Sequence, residues 1–264
     1  MVALLTALAL GAASITPIHS RPDADPAIWV VNDDDTVIFL FGTFHALDGK
    51  SDWFNDEVQT AFASADELVL ETVIPGKRDR PANELPAVQS MRSLSIAPSA
   101  SFLASTRVAA AAGRIQGMRV AHGADSILRD AAEAVGKPID GLESFDQQLG
   151  MMATLPGPAA AASAAAANPA AMSALAAVMG RMQTAWNQGE QGVLVAMLDQ
   201  MRRTSPQSYE AMFTRRNSNW ASWIAERLQR PGTVFVAVGA AHLAGPDCVQ
   251  AKLSRIGVRS ARIN

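Results

Sequence analysis

The chain has 264 residues, of which 49% are apolar and 18% are charged, with a formal net charge of −3 and an isoelectric point near 5.8. This length and apolar content suit one large α/β domain or two small ones, and they argue against general disorder. The charge is close to neutral, and no basic stripe or helix-turn-helix pattern occurs, which argues against nucleic acid as a partner. A lone cysteine, Cys248, excludes an internal disulfide and a cysteine-rich zinc module.

The first twenty residues, 1–20, have the composition of a signal peptide. Val2–Ala13 is an uncharged run rich in Ala and Leu, followed by small residues and Pro17. Such a run has the length of a signal-peptide apolar region and is too short to cross a bilayer. No basic segment precedes it, so a buried N-terminal helix is the alternative. We expect export to the periplasm or the medium, cleavage within Ala13–Asp25, and no membrane span afterwards.

The next segment predicts alternating strands and helices. Ala27–Val31 and Thr36–Phe41 are predicted strands that form a hairpin, because the Asn-Asp-Asp-Asp sequence between them favours a tight turn. Helical spacing of apolar residues over 52–65 predicts a helix with Asp52 as its N-cap. Glu67–Glu71 is a short apolar strand that ends in a carboxylate. Strand, helix and strand in this order predict a parallel pair with a right-handed crossover.

The middle of the chain continues this alternation after a surface loop. Gly113 and Gly136 are expected to end two helices, and Asp125 is expected to cap the start of one. The predicted elements are helices at Val88–Leu94, Ser101–Ala112 and Ser126–Val135 and strands at Met118–Ala121 and Lys137–Leu142.

Residues 156–177 are rich in alanine, and Pro158 and Pro169 are expected to break any long helix there. We interpret residues from about 156 to 205 as a helical or linker insertion in a single domain that spans 27–264. The remaining predicted elements are helices at Leu175–Trp186, Val193–Arg202, Tyr209–Leu228 and Pro246–Ile256 and strands at Thr233–Val238 and Val258–Ile263.

Two apolar runs end in the same pattern. Val37–His45 reads V-I-F-L-F-G-T-F-H and Val234–His242 reads V-F-V-A-V-G-A-A-H, so each predicted strand is followed by Gly-x-x-His. The carboxyl ends of neighbouring parallel strands are where open α/β sheets bind ligands, and Glu71 stands at another such end. Imidazoles and carboxylates are common metal ligands. We therefore predict that His45, His242 and Glu71 share one functional site.

Three further polar residues are candidates for this site. Glu143 follows the predicted strand at 137–142 and, like Glu71 taken alone, is a surface strand-end residue, an ion-pair partner or a site carboxylate. Arg216 and Asn217 lie in a long predicted helix, where both cannot face the apolar stripe. They form either a solvated face or a clamp in which Arg216 holds a carboxylate or phosphate and Asn217 donates a hydrogen bond. The residues alone favour the solvated face. His122 is interpreted as structural or as a neighbour of the site.

As an ordered set, these motifs resemble the TraB/PrgY/GumN family, from about residue 27 to residue 264. The segments are F-L-F-G-T-F-H, S-A-D-E-L-V-L-E-T, G-K-P-I-D-G-L-E-S-F-D-Q-Q-L, R-R-N-S-N-W and V-A-V-G-A-A-H-L-A-G-P-D. The family is distantly related to the Tiki metalloproteases and to the erythromycin-esterase and ChaN-like proteins. The resemblance implies a mixed, largely parallel central sheet with helices on both faces, plus a helical excursion. Without the membrane-spanning tail of TraB and PrgY, the sequence is more similar to GumN.

The resemblance also implies roles and a cofactor. It implies metal ligands or catalytic groups at His45 and His242, and a ligand or general base at Glu71. Three more residues would complete the site: Glu143, Arg216 and Asn217. A divalent metal, with manganese, cobalt or zinc as candidates, is implied in the same way. Hydrolytic activity in this group belongs chiefly to the Tiki branch.

The leading hypothesis is an exported metal-dependent hydrolase that acts on a peptide or similar amide bond in a peptide or small-molecule substrate. The alternative is a non-catalytic periplasmic protein that sequesters a peptide, a haem-like ligand or a metal. A separation of more than roughly 10 Å between His45 and His242 would exclude a shared metal, because ligand bonds are only about 2 Å long.

Overall fold

The computed structural model describes residues 21–73, 100–155 and 166–264, without the side chains of residues 100–102. Its centre is a six-stranded sheet with the strand order β4, β3, β5, β2, β1, β6. β5 pairs in parallel with β2 and β3, and β3 pairs in parallel with β4, whereas β1 is antiparallel to β2 and β6. The strands are β1 Ile28–Asn32, β2 Thr36–Thr43, β3 Glu67–Thr72, β4 Ile139–Glu143, β5 Gly232–Gly239 and β6 Ala261–Arg262.

Helices cover the two faces of this sheet. They are α1 Asp56–Ser64, α2 Ala100–Ile115, α3 Ala124–Val135, α4 Phe145–Thr154, α5 Pro169–Asn187, α6 Gly192–Thr204, α7 Pro206–Tyr209, α8 Arg215–Arg227 and α9 Val249–Arg255. A π-helical turn, Glu210–Thr214, connects α7 to α8, and short 3-10 helices occur at Val120–His122 and Ala240–Leu243. Within the described ranges, no helix has the length and apolarity needed to cross a membrane.

The two faces of β5 explain why its sequence is a continuous apolar run. Val234 and Val236 pack into a core with Trp220 of α8, whereas Phe235 packs on the opposite face with Phe62 of α1. A strand buried on both sides needs apolar residues at every position. This confirms the prediction of an α/β fold with a largely parallel central sheet and helices on both faces.

The hairpin of β1 and β2 is confirmed, with Ile28 opposite Phe41 and Asn32 opposite Val37. The predicted pairing of β2 with β3 is wrong, because β5 lies between them and bonds to both. The strand–helix–strand order predicts that β2 and β3 are parallel. Only the packing of distant segments decides whether another strand lies between them. The prediction of a single domain over 27–264 stays a prediction.

Several predicted helix boundaries are wrong. α1 is capped by Asn55, whose side chain accepts the N–H of Val58 at 3.2 Å, whereas Asp52 bonds through its backbone to Pro22. α2 continues past Gly113, and α3 is capped by Gly123, so that Asp125 lies inside its first turn.

Other local predictions also differ from the structure. Met118–Ala121 is not a strand, since only one bridge, from Leu47 to Arg119, forms there. Pro169 starts α5 instead of breaking a helix, because proline needs no N–H partner in a first turn and Asn168 caps it. The predictions for Val88–Leu94, for 1–20 and for the most alanine-rich part of the insertion, 156–165, fall outside the described residues.

Candidate functional site

The predicted histidines and the strand-end glutamate meet at one edge of the sheet. His45 follows β2, Glu71 lies near the end of β3, and His242 lies in the 3-10 helix that follows β5. A methyl group added to Gly239, the last residue of β5, would lie 3.5 Å from Oε2 of Glu71, 3.5 Å from Nε2 of His45 and 3.6 Å from Cδ2 of His242. The two histidines are therefore well within the roughly 10 Å limit set by a shared metal.

Arg216 links this group of side chains to a second carboxylate. Its Nε donates to both oxygens of Glu143, at 2.8 and 3.0 Å, and its Nη2 donates to Oε1 of Glu71. Its Nη1 lies 3.2 Å from Nε2 of His242 and donates to the carbonyl of Met212 at 3.3 Å. The guanidinium is buried, at 9% side-chain exposure, and its charge is shared between two carboxylates.

The helix that carries Arg216 is irregular immediately before it. In the π-helical turn, the N–H of Arg215 bonds to the carbonyl of Glu210, five residues earlier, where an α-helix would use the residue four earlier. Such turns are rare and occur frequently at functional sites. Here the turn contains Met212, whose carbonyl accepts from the Arg216 side chain.

Both Arg216 and Asn217 are buried, so the expectation of a solvated face for this pair is wrong. Neighbouring residues of a helix point in different directions, but α8 is covered on two sides. Arg216 faces the ends of β3 and β4, where Glu71 and Glu143 stand. Asn217 faces the segment after β5, which contains His242.

Asn217 fixes the tautomer of His242. The Nδ2 of Asn217 donates to the carbonyl of Asp247 at 2.8 Å, so its Oδ1, 2.6 Å from Nδ1 of His242, accepts the Nδ1–H. The Nε2 of His242 then has a lone pair, which accepts from Arg216. Burial lowers the pKa of His242 to about 3, so the ring is neutral at physiological pH.

Glu71 stays ionised in this environment. Burial alone would raise its pKa, but the two neighbouring imidazoles and the Arg216 guanidinium outweigh burial and lower the pKa to about 2. Gln148 of α4 donates to Oε1 at 3.0 Å, and the backbone N–H of Gly239 donates to Oε2 at 3.3 Å. The carboxylate is thus oriented with Oε2 towards the space beside Gly239.

Glu143 is held on two sides. Besides Arg216, the indole Nε1 of Trp220 donates to its Oε1 at 3.0 Å. The same indole lies under the guanidinium of Arg216, with the ring centroid 4.7 Å from its carbon. Cation–π contact and hydrogen bonding together fix the position of the Arg216 head group.

His45 differs from His242 in exposure and in charge. Its side chain is 66% exposed, and its Nδ1 lies 2.9 Å from Oδ1 of Asp125. The hydrogen bond to Asp125, together with the charge of that carboxylate, raises the pKa of His45 to about 9. Because Asp125 occupies Nδ1, the Nε2 of His45 is the nitrogen that faces the space beside Gly239.

Sequence reasoning missed two residues of this site, Asp125 and Gln148. Asp125 was assigned as a helix cap, and its partner is 80 positions away, so no local pattern connects them. Gln148 lies in the segment that carries Glu143, four residues after Ser144, and a helix beginning at Ser144 could have placed it near the strand ends. His122 lies outside the site: its ring contacts Gly49, and its buried Nδ1 has no hydrogen-bond partner among the described residues.

The donor atoms that a metal ion would need are partly committed to Arg216. Within residues 21–73, 100–155 and 166–264, no group of three or more His, Cys, Asp and Glu side chains could hold a metal ion as arranged. The Nε2 of His242 and Oε1 of Glu71 bond to Arg216. Two suitable donor atoms still face the same space, Nε2 of His45 and Oε2 of Glu71. Their chemistry, imidazole nitrogen and carboxylate oxygen, suits a divalent ion.

Fold and site together define an α/β protein with two histidines, two glutamates and an arginine gathered at the carboxyl edge of a mostly parallel sheet. The chain belongs to the TraB/PrgY/gumN family, whose model matches residues 27–99 and 87–262. No curated protein and no solved structure matches the chain.

The contact between His45 and Asp125 gives a pH prediction. In Asp125→Asn the pKa of His45 should fall from about 9 towards its ordinary value of 6.5, because the carboxylate that favours the imidazolium is gone. In the unaltered protein the raised pKa stabilises the fold fully below about pH 6.5, and this contribution is lost as the pH rises towards 9. Titration of the imidazole carbon signals by NMR measures the pKa directly.

The control for this titration is Asp130→Asn, an exposed aspartate of the same helix that contacts Arg129. It should leave the pKa of His45 unchanged. An unaltered His45 titration in Asp125→Asn would mean that the hydrogen bond does not control this imidazole.

Proposed function

We propose that the chain is a hydrolase of peptide or similar amide bonds. The observation that carries the proposal is the convergence of Glu71, His45 and His242 on the space beside Gly239, next to the buried charge of Arg216. An acyl-transfer site needs a base for water, a positive group for the developing oxyanion and an open position between them. These residues supply each of the three.

In this proposal Glu71 accepts a proton from the attacking water. Its lowered pKa keeps it ionised, and Gln148 and the N–H of Gly239 hold it in one orientation. His45, which is an imidazolium at neutral pH, donates its Nε2–H to the oxyanion or to the leaving amine. Arg216 adds a fixed positive charge at the floor of the site.

We assign positioning roles to two other residues of the predicted site. Glu143 holds Arg216 through both of its carboxylate oxygens, and those contacts leave it poorly placed to act as the base. Asn217 orients the His242 ring through Nδ1 and is itself held by Asp247. Neither residue needs to touch the substrate in this scheme.

In the metal-bound form of this proposal, Nε2 of His45 and Oε2 of Glu71 would hold a divalent ion, manganese, cobalt or zinc, and the ion would replace the proton transfers that these two groups carry out without metal. Such an ion would polarise the scissile carbonyl and lower the pKa of a water molecule. His45 must lose its Nε2 proton to serve as a ligand, because an imidazolium has no free lone pair there. His242 can join only if Arg216 releases its Nε2.

The second candidate function is that of a non-catalytic protein that sequesters a peptide, a haem-like ligand or a metal. It is favoured by the pairing of both buried carboxylates with Arg216, since paired groups are weaker bases.

We also propose export of the chain, which is supported by the apolar run Val2–Ala13. N-terminal sequencing of the exported protein tests this, and an unprocessed cytosolic chain would contradict it.

Metal analysis and cleavage of a peptide library separate hydrolase from binder. We expect about one divalent ion per chain, and cleavage that a chelator abolishes and added metal restores. The double variant His45→Ala/His242→Ala should lose both. Bound metal or ligand without cleavage would favour the binder, and unchanged metal content and cleavage in the double variant would contradict the site itself.

Substitution of Gly239 by alanine tests whether the shared space is where reaction occurs. The backbone of Gly239, at φ −50°, accepts an alanine, and the new methyl group would make only ordinary contacts of 3.5–3.6 Å. The melting temperature should therefore hold, while kcat/KM falls by about 100-fold or more because the methyl group occupies the reacting position.

The matched control is Gly192→Ala at the start of α6, where an added methyl group meets no described atom within 4 Å. This variant should keep both stability and activity. Full activity in a folded Gly239→Ala protein would place the reaction elsewhere.

A further inference from the structure

An open cleft of about 520 Å³ is lined in part by Glu143 and Arg216. One wall is a face of α4 that includes Gly150 and Met151, and the other is a face of the π-helical turn and α8 that includes Arg215. Glu143 and Arg216 line its floor. A methyl group on Gly150 would meet no described atom within 4 Å, so packing does not require a glycine at this position. Its lack of a side chain keeps the cleft wide.

Arg215 differs from its neighbour Arg216 in that no residue in the described part of the chain forms an ion pair with it. Among the described residues that line the cleft, Arg215 is the charged side chain without an ion pair, since Glu143 and Arg216 bind each other. One turn away along the chain stand Glu210, across the π-helical turn, and Asn219 of α8, and among the described residues Glu210 forms no ion pair with Arg215. Arg215 is also exposed, so its N–H donors remain open to a ligand.

A free guanidinium in such a cleft fits a carboxylate better than a phosphate. Guanidinium and carboxylate pair through two parallel hydrogen bonds. A phosphate dianion is usually bound by several cations or by a helix N-terminus. The N-terminus of α8 is not open, because the helix continues from the π-helical turn, and the other two charged residues that line the cleft, Glu143 and Arg216, bind each other.

We infer that Arg215 anchors a carboxylate of the substrate, which makes peptides with a carboxylate near the reacting bond the preferred substrate class. The carboxylate is either the C-terminus of the peptide or an acidic side chain. The reaction on such a peptide rests on the proposed function, whereas the binding preference does not. Arg215 is thus a specificity-determining residue in the cleft that Glu143 and Arg216 also line.

The test compares three acetylated tripeptides: Ala-Ala-Ala as the free acid, the same sequence as its C-terminal amide, and Ala-Asp-Ala as the amide. Binding to the full protein is measured by calorimetry, and hydrolysis is followed in parallel. The free acid should bind about tenfold more tightly than its amide, as expected for a charge-assisted hydrogen bond. In Arg215→Gln this difference should vanish, with binding of the Ala-Ala-Ala amide unchanged.

Arg203→Gln is the control, since Arg203 is an exposed arginine of α6 outside the cleft that bonds to Gln200. It should keep the preference. Tight binding of the Asp peptide as well as the free acid assigns the site to any carboxylate, and tight binding of the free acid alone assigns it to the C-terminus. Tight binding of the Asp peptide alone assigns the site to acidic side chains. Equal binding of all three peptides by the unaltered protein, or a preference for carboxylate that persists in Arg215→Gln, would overturn the inference. Preferential binding without hydrolysis supports the anchor and counts against the hydrolase.

Discussion

The guanidinium of Arg216, buried between Glu71 and Glu143, is the interaction on which the rest of the site depends. Both glutamates are largely buried, at 15% and 14% side-chain exposure, and an unpaired carboxylate in such a position is strongly unfavourable. One arginine compensates both charges and also contacts His242. It therefore joins α8 to the ends of β3 and β4 and to the segment after β5.

This arrangement follows from the order of strands in the sheet. β5 lies between β2 and β3, so the two Gly-x-x-His segments leave adjacent strands and Glu71 leaves the strand on the other side of β5. The residue at the centre is Gly239, which leaves space where any other side chain would begin. The two histidines have opposite characters. His242 is neutral within the core, whereas His45 is exposed and favours the imidazolium because of Asp125.

The sequence alone predicted the parts of the site that depend on local pattern. The apolar runs before His45 and His242 indicated buried strands, and the carboxyl ends of parallel strands are a known meeting point. Glu71 was found for the same reason. The insertion of β5 between β2 and β3 could not be predicted, because strand order depends on packing between distant segments.

The burial of Arg216 and Asn217 was beyond the reach of helical periodicity, which assumes one covered face. α8 is covered on two sides, and both residues have buried partners more than 20 positions away. Only the family resemblance placed them in the site. Asp125 shows the same limit, since a helix-cap position explained it locally and its contact with His45 is tertiary.

A double-mutant cycle of Arg216→Met and Glu143→Gln, measured as free energies of unfolding, tests the central role of Arg216 most directly. Arg216→Met alone should cost about 3–5 kcal/mol, because it leaves buried carboxylates without a partner. The double variant should cost less than the sum of the single variants by more than about 1 kcal/mol. The exposed pair Arg202 and Asp199 is the control, for which coupling should stay below about 0.5 kcal/mol. Additive effects at Arg216 and Glu143, within about 0.5 kcal/mol, would contradict the account.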